Sequence, residues 1–296
     1  MAIPEADLTI MATIGAQKTS KDTYATVKLA LDSEDAGYHT KDYKIFLQGS
    51  YGNDTNIVKE SDVDVVIRLD SIFTYDINSL PQTEKDAFKA KHPDAVYTHK
   101  NFREDVLNVL YKRFGEDVEP GTKAVMIKPL HNRRKTDVLI AIKHKKYSRF
   151  TAVGNDECIT GISFHKVDGT RIINYPTQHR DNLATKNQNT GEYFKHVVRI
   201  FKNARQKLIQ QEVIEAGVAP SYYVEGLLYN VPDDKFGTSY EDSMINSINW
   251  LMKVDRSMFV CANAQYKLLD DNPDVTWNAK NCDMFLNGLV GLWNGW

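Results

Sequence analysis

The sequence predicts an α/β (α+β) protein whose first part is a sheet with helices packed on it and whose second part is helical. Three observations carry this. Apolar, β-branched runs stand at 43–47, 62–67, 136–141 and 161–175, the pattern of half-buried strands. Residues 19–31, 81–91 and 102–114 read as helices, with apolar side chains at helical spacing in the first and last. After Pro176 the composition changes to helix formers, which predicts domains 1–176 and 177–296.

The totals narrow the function classes. With 296 residues and 42% hydrophobic side chains the chain can bury one large core or two lobes. A net charge of −2 gives no global attraction to nucleic acid. Cys158, Cys261 and Cys282 are far apart and form no Cys-x-x-Cys, so free buried thiols are expected rather than a disulfide framework or a zinc ribbon. The sequence has no apolar run of bilayer length, and the start Met1-Ala2-Ile3-Pro4-Glu5 lacks signal-peptide character. A cytoplasmic protein that needs no membrane is expected.

Taken in order, 19–31 places Tyr24, Val27 and Leu31 on one helix face behind capping hydroxyls. A break at 35–38 precedes a strand, 43–47, that leads into Gln48-Gly49-Ser50. The helix at 102–114 carries Phe102, Val106, Val109, Leu110 and Phe114 on one face and stops at Gly115. Strands at 123–128 and 136–141 are joined through 131–134, which brings Asp137 beside the earlier acids. The cations from Lys128 to Arg149 read mostly as a solvated face, and His144 among them as surface. The helix at 191–210 has an apolar stripe of Phe194, Val197, Val198 and Phe201 beside a cationic stripe of Lys195, Arg199 and Lys202. That stripe is either solvated or turned to phosphate. A later helix starts at Pro220, and Trp250, Phe259, Phe285, Leu289 and Trp293 read as packing.

The chemistry lies in Gly49-Ser50 and Asp62-Val63-Asp64. Alternation on a strand points Asp62 and Asp64 the same way while Val63 and Val65 enter the core. Two aligned carboxylates repel each other unless a hard cation such as Mg2+ joins them. Gly49 lets backbone N–H groups approach a phosphate, and Ser50 adds donors. Either motif alone is common by chance. Their order, the separation of roughly ten residues and a third acid at Asp137 raise the odds.

Gly49-Ser50, Asp62-Val63-Asp64 and Asp137 together resemble the DNA polymerase β-type nucleotidyltransferases. The longer string Gly49-Ser50-Tyr51-Gly52-Asn53-Asp54-Thr55-Asn56-Ile57, with Ser61-Asp62-Val63-Asp64-Val65-Val66, resembles the bacterial cGAS/DncV-like nucleotidyltransferases, in particular the CdnE branch, over nearly the whole chain. The resemblance implies a polymerase β-like nucleotidyltransferase core with a C-terminal helical lobe, bilobal with the active site in the cleft. It implies Asp62, Asp64 and Asp137 as catalytic ligands of two Mg2+ ions, with Mn2+ as a substitute. It puts Gln48, Gly49, Ser50, Lys202 and Ser221 on substrate, the last two on the donor triphosphate, and Tyr222 on a base, although Tyr222 could equally be core. Asn174 stands where an amide would read uracil, or would cap the following turn. UTP and ATP would give cyclic UMP-AMP in anti-phage (CBASS) signalling, sensed by an effector, with no DNA required and the enzyme a monomer. Another cyclic product, a template-independent RNA nucleotidyltransferase, or an enzyme that nucleotidylates a small molecule or protein are the alternatives.

Overall fold

The structure is a computed structural model that describes residues 2–15, 17–58, 62–93, 95–272 and 274–296. Ser61, which belongs to the longer string above, lies outside the described residues. Helices α1 (Glu5–Ala12) and α2 (Lys18–Leu31) precede strand β1 (Tyr43–Gln48), the single turn α3 (Gly49–Gly52) and the long β2 (Val63–Asp76). Then come α4 (Gln82–Lys91), α5 (His99–Phe114), β3 (Val118–Pro120), β4 (Val125–Ile127), β5 (Thr136–Ala152), β6 (Asn155–His165) and β7 (Arg171–Asn174). From Pro176 the main elements are α6 (Pro176–Asn189), α7 (Tyr193–Gln210), α8 (Ser221–Tyr229), α9 (Tyr240–Lys253) and α10 (Ala279–Asn294). Among the described residues no helix is long and apolar enough to cross a membrane.

The chain divides into two compact units, one of Lys18–Gln48 and Asp62–Tyr175, the other of Met1–Gln17, Gly49–Ser61 and Pro176–Trp296. One division falls between Tyr175 and Pro176. Two stretches from before that point nevertheless group with the helices: the backbone and polar side chains of 53–56 find their partners on α7 and α8, and Ala12 and Glu5 are bonded to Arg199 of α7 and Tyr240 of α9.

The first unit is one mixed sheet in the order β1-β2-β5-β4-β3, with β6 on β5 and β7 on β6. β2 and β5 run parallel, and the other pairs are antiparallel. Val63, Val65, Ile67 and Leu69 of β2 alternate into a core shared with Val27 and Leu31 of α2 and Phe102, Val106 and Leu110 of α5. Period-two burial on the strand thus meets the apolar faces of two helices. β4 and β6 share one edge of β5, at Thr136–Val138 and from Ile142 onward. The intervening carbonyl of Ile140 accepts instead from His99 Nε2 at 3.0 Å.

The second unit is built on α7, whose Phe194, Val197, Val198 and Phe201 are fully buried, as their spacing predicts. They pack with Val224, Leu227 and Leu228 of α8 and Phe285, Leu286 and Leu289 of α10. Helix α1 was not legible in the sequence. It buries Leu8 and Ala12, and Glu5 accepts from the backbone N–H groups of Tyr240 and Glu241 at 2.9 and 2.7 Å, capping α9.

One sequence expectation is overturned. His144, read as surface, is 1% exposed. β5 continues through the lysine run to Ala152, and the bulge near Leu69 and Phe73 pairs His144 with Thr74, whose hydroxyl lies 2.9 Å from its Nδ1. Of the three thiols, Cys261 and Cys282 are buried and Cys158 is intermediate. Burial pushes the first two up to about 12, which leaves them unreactive.

Candidate active site

Within the sheet unit the register brings the predicted acids together. Gln48 of β1 pairs with Asp64 of β2, and Asp64 pairs with Asp137 of β5. Partners in register share a face of the sheet. Gln48, Asp64 and Asp137 therefore form a row across three adjacent strands, opposite the face that enters the core. Asp62 lies just before β2 and is exposed, while Asp64 and Asp137 are partly exposed. Val63 N–H donates to the carbonyl of Lys135, which extends the ladder one step past Thr136.

A cation already joins two of these acids. Lys135 Nζ lies 2.7 Å from Asp62 Oδ2 and 3.4 Å from Asp137 Oδ2. Its hydrogen bond to Asp62 raises the lysine above its usual pKa. A carboxylate just before β2 and one on β5 thus converge on one positive charge. Further along the same face the buried Asp70 is neutralised by Arg68, at 2.6 and 2.9 Å, and by Lys143 at 3.1 Å. It is a structural carboxylate, not a fourth ligand.

The segment after Gly49 belongs to the helical unit. Gly49 has φ of +65°, a conformation that disfavours any residue with a Cβ. Ser50 is partly exposed, and its carbonyl accepts from Thr55 N–H at 2.9 Å. Behind it the polar side chains Asn53, Thr55 and Asn56 are buried. Such a loop survives only if its polar atoms are satisfied. Glu225 of α8 does much of this: it accepts from Asn53 Nδ2 at 3.1 Å, Thr55 Oγ1 at 2.5 Å, Lys202 Nζ at 2.6 Å and His179 Nε2 at 2.7 Å. Burial alone would raise the Glu225 carboxyl, but Lys202 and His179 hold it well below the usual carboxylate range. On the other side of the loop, Gly15 N–H donates to Asn56 O at 3.0 Å, and a Cβ on Gly15 would fall 2.6 Å from the carbonyl oxygen of Ile57.

The cationic stripe of α7 is therefore neither solvated nor open. Lys195 pairs with Asp54 at 3.3 Å, Arg199 donates to Asp54 O at 2.7 Å, and Lys202 donates to Thr55 O at 3.2 Å. Lys202, which the resemblance puts on the donor triphosphate, is fully buried on Glu225 and Thr55. Ser221 opens α8, partly exposed, and its hydroxyl accepts from Arg205 at 3.2 Å. Tyr222 stacks on His179 with centroids 4.7 Å apart, its hydroxyl accepts from Asn263 at 2.9 Å, and burial raises its pKa.

Asn174 ends β7, and its Oδ1 accepts from Tyr175 N–H at 2.8 Å. Its Nδ2 has no partner among the described residues. Glu225, His179 and Lys135 are the residues that sequence reasoning missed. Lys135 carried a signal, since it stands two positions before Asp137. Glu225 and His179 carried none, because their partners are far away in the chain.

Among the described residues no three His, Cys, Asp or Glu side chains already close on a common point as a metal cage. The donor set fits a hard divalent cation all the same. The three acids supply carboxylate oxygens, which Mg2+ prefers, and two of them already share the ammonium of Lys135.

Residues 181–294 match the cGAS/DncV-like nucleotidyltransferase C-terminal helical domain. The whole chain is 37% identical over 298 residues to the cyclic UMP-AMP synthase of Rhodothermus marinus, covering 99% of it. It is 35% identical over 303 residues to the cyclic nucleotide synthase CdnE01 of Staphylococcus haemolyticus, with each chain covered in full. The solved structure of the Rhodothermus marinus CdnE synthase superposes with a TM-score of 0.90 at 36% identity, over 99% of this chain and 97% of that one. With a relative 37% identical from end to end and a C-terminal part that matches the family's helical domain, the chain belongs to the cGAS/DncV-like nucleotidyltransferases, in the CdnE branch, whose members synthesise cyclic dinucleotides.

Proposed function

We propose that the chain joins UTP and ATP into cyclic UMP-AMP by two successive nucleotidyl transfers, and that the product signals in anti-phage (CBASS) defence through an effector protein that senses it. The observation that carries the reading is the row of Gln48, Asp64 and Asp137, with Asp62 and Asp137 converging on one cation. The choice of bases is supported by end-to-end likeness to the Rhodothermus marinus synthase, whose structure was solved with Apcpp and Upnpp. The Asn174 amide, with its Nδ2 uncommitted, adds to that support.

In each transfer a ribose hydroxyl oxygen bonds to an α-phosphorus, the bond to pyrophosphate breaks, and the hydroxyl proton passes to solvent. Asp62, Asp64 and Asp137 would hold two Mg2+ ions, which when bound neutralise phosphate charge and lower the pKa of the attacking hydroxyl. Lys135 holds Asp62 and Asp137 together and offsets their repulsion, a role that a bound divalent metal would take over. Gly49 and Ser50 take triphosphate oxygens, with Gln48 beside them in the chain. The Glu225 cluster keeps the backbone of this loop fixed, so its donors need little rearrangement during transfer. Lys202 acts on the triphosphate through the loop it holds, Ser221 contributes its hydroxyl, and Tyr222 presents the exposed part of its ring to a base. No DNA is needed as activator, and the enzyme acts as a monomer.

Purified protein incubated with Mg2+ and the four NTPs, singly and in pairs, and analysed by mass spectrometry tests this. The expected result is a cyclic product containing one uridine and one adenosine, formed when UTP and ATP are both present. A product from ATP or GTP alone, or only linear chains, would overturn it.

A further inference from the structure

The sheet unit has a second feature that nucleotidyl transfer does not use. A cavity of about 750 Å³ opens between the start of α5, the 121–124 turn and the 165–169 turn. This volume is in the range of small-molecule sites. Its floor is Val138, Ile140 and Ile142, on the opposite face of β5 from Asp137. Its walls carry His99, Lys100, Arg103, Lys123, His165 and Lys166, and no acidic residue is among those described that line it. Two carboxylates stand just outside the lining: Asp168 lies 3.5 Å from Lys166, and Asp105 accepts from the Tyr97 hydroxyl at 2.5 Å.

Arg103 is the informative residue. It is half-buried on α5 and has neither ion pair nor hydrogen bond among the described residues. A guanidinium carries five donors, and withdrawing it from water without a partner is costly. The imidazoles add donors without adding repulsion. His99 and His165 lie 5.1 Å apart, and burial lowers the pKa of both, with Arg103 among the charges acting on His99, so both are neutral near pH 7. His99 already spends Nε2 on Ile140 O. An apolar floor with a cationic wall matches a molecule that is apolar at one end and anionic at the other.

We propose that this cavity binds a small organic anion, an aromatic or aliphatic body carrying a carboxylate, sulfonate or phosphate, with Arg103 as the principal contact to the charged group.

The test is a fluorescence titration of the full chain with 8-anilinonaphthalene-1-sulfonate as the probe. Wild type, Arg103→Glu, Arg103→Gln and Arg149→Glu are compared after matched unfolding transitions confirm that each is folded. Arg149 is exposed, lies outside the cavity and pairs with Glu157, so its reversal controls for net charge. The expected result is saturable binding that Arg103→Glu weakens by about tenfold or more and Arg103→Gln by less. Arg149→Glu should leave it within about twofold. Competition by benzoate and by phenyl phosphate then tells a carboxylate site from a phosphate site. Equal binding in wild type and Arg103→Glu, an equal loss in Arg149→Glu, or no competition by either anion would overturn the assignment.

Discussion

Lys202 Nζ lies 2.6 Å from Glu225 Oε1, and neither side chain has more than 2% of its surface exposed. A buried pair of this kind contributes little against an apolar replacement, but removing one partner strands a charge. Glu225→Leu should cost about 3–5 kcal/mol in urea unfolding. Lys202→Met with Glu225→Leu should recover much of that loss. Synthase activity should stay low in the double variant, since Asn53 and Thr55 have lost their acceptor. A double variant with normal activity would remove Glu225 from loop positioning.

If Asp62 and Asp137 hold a divalent metal as proposed, Lys135, which pairs with both, would compete with it. Lys135→Met should therefore lower the half-saturating Mn2+ concentration, by about two- to fivefold given the exposure of the pair. Isothermal titration with Mn2+ checks this, and unchanged affinity would mean that the ammonium leaves at no cost.

His144 gives the fold a pH dependence. Burial first, with help from Arg171 and Lys146 and against Asp76, lowers its pKa from 6.5 to about 4. Between those values the unfolded chain binds the extra proton, so the contribution is complete above about pH 6.5 and lost as pH falls towards 4. The whole effect is on the order of 3 kcal/mol. Urea unfolding near pH 7 and about pH 5 should show a smaller loss in His144→Gln than in wild type. Equal losses would place the acid sensitivity in other groups.

Asn174→Ser should shift incorporation from UTP towards purine triphosphates, by roughly tenfold in relative kcat/KM, because serine cannot offer the amide's paired donor and acceptor. Competition among four labelled NTPs measures it. Unchanged preference for UTP would leave Asn174 with its contact to Tyr175 N–H alone.

The acids were legible because a period of two is written in short β-branched runs, Val63 to Ile67 and Val138 to Ile142, whereas their parallel register was not. The later half of β5 was not, because only Tyr147 and Phe150 among its later side chains enter a core. Lys145 and Arg149 pair across to Asp156 and Glu157 of β6, so the pattern looked like a charged surface. The stripe on α7 was visible as a stripe, but its partners, the carbonyls of Asp54 and Thr55, stand some 145 positions earlier. A backbone carbonyl leaves no mark in a sequence. Helix α1 hid for a related reason, since it is anchored by Leu8, Ala12 and a capping Glu5 and has no amphipathic repeat.

The most direct measurement is turnover of α-labelled UTP and ATP by the Asp62→Asn, Asp64→Asn double variant, with its unfolding transition recorded alongside. The account predicts a fold about as stable as wild type, since the relieved carboxylate repulsion offsets the lost Lys135–Asp62 pair, and a loss of turnover of at least about a thousandfold. A folded double variant that still converted the labelled triphosphates would contradict the assignment of these aspartates.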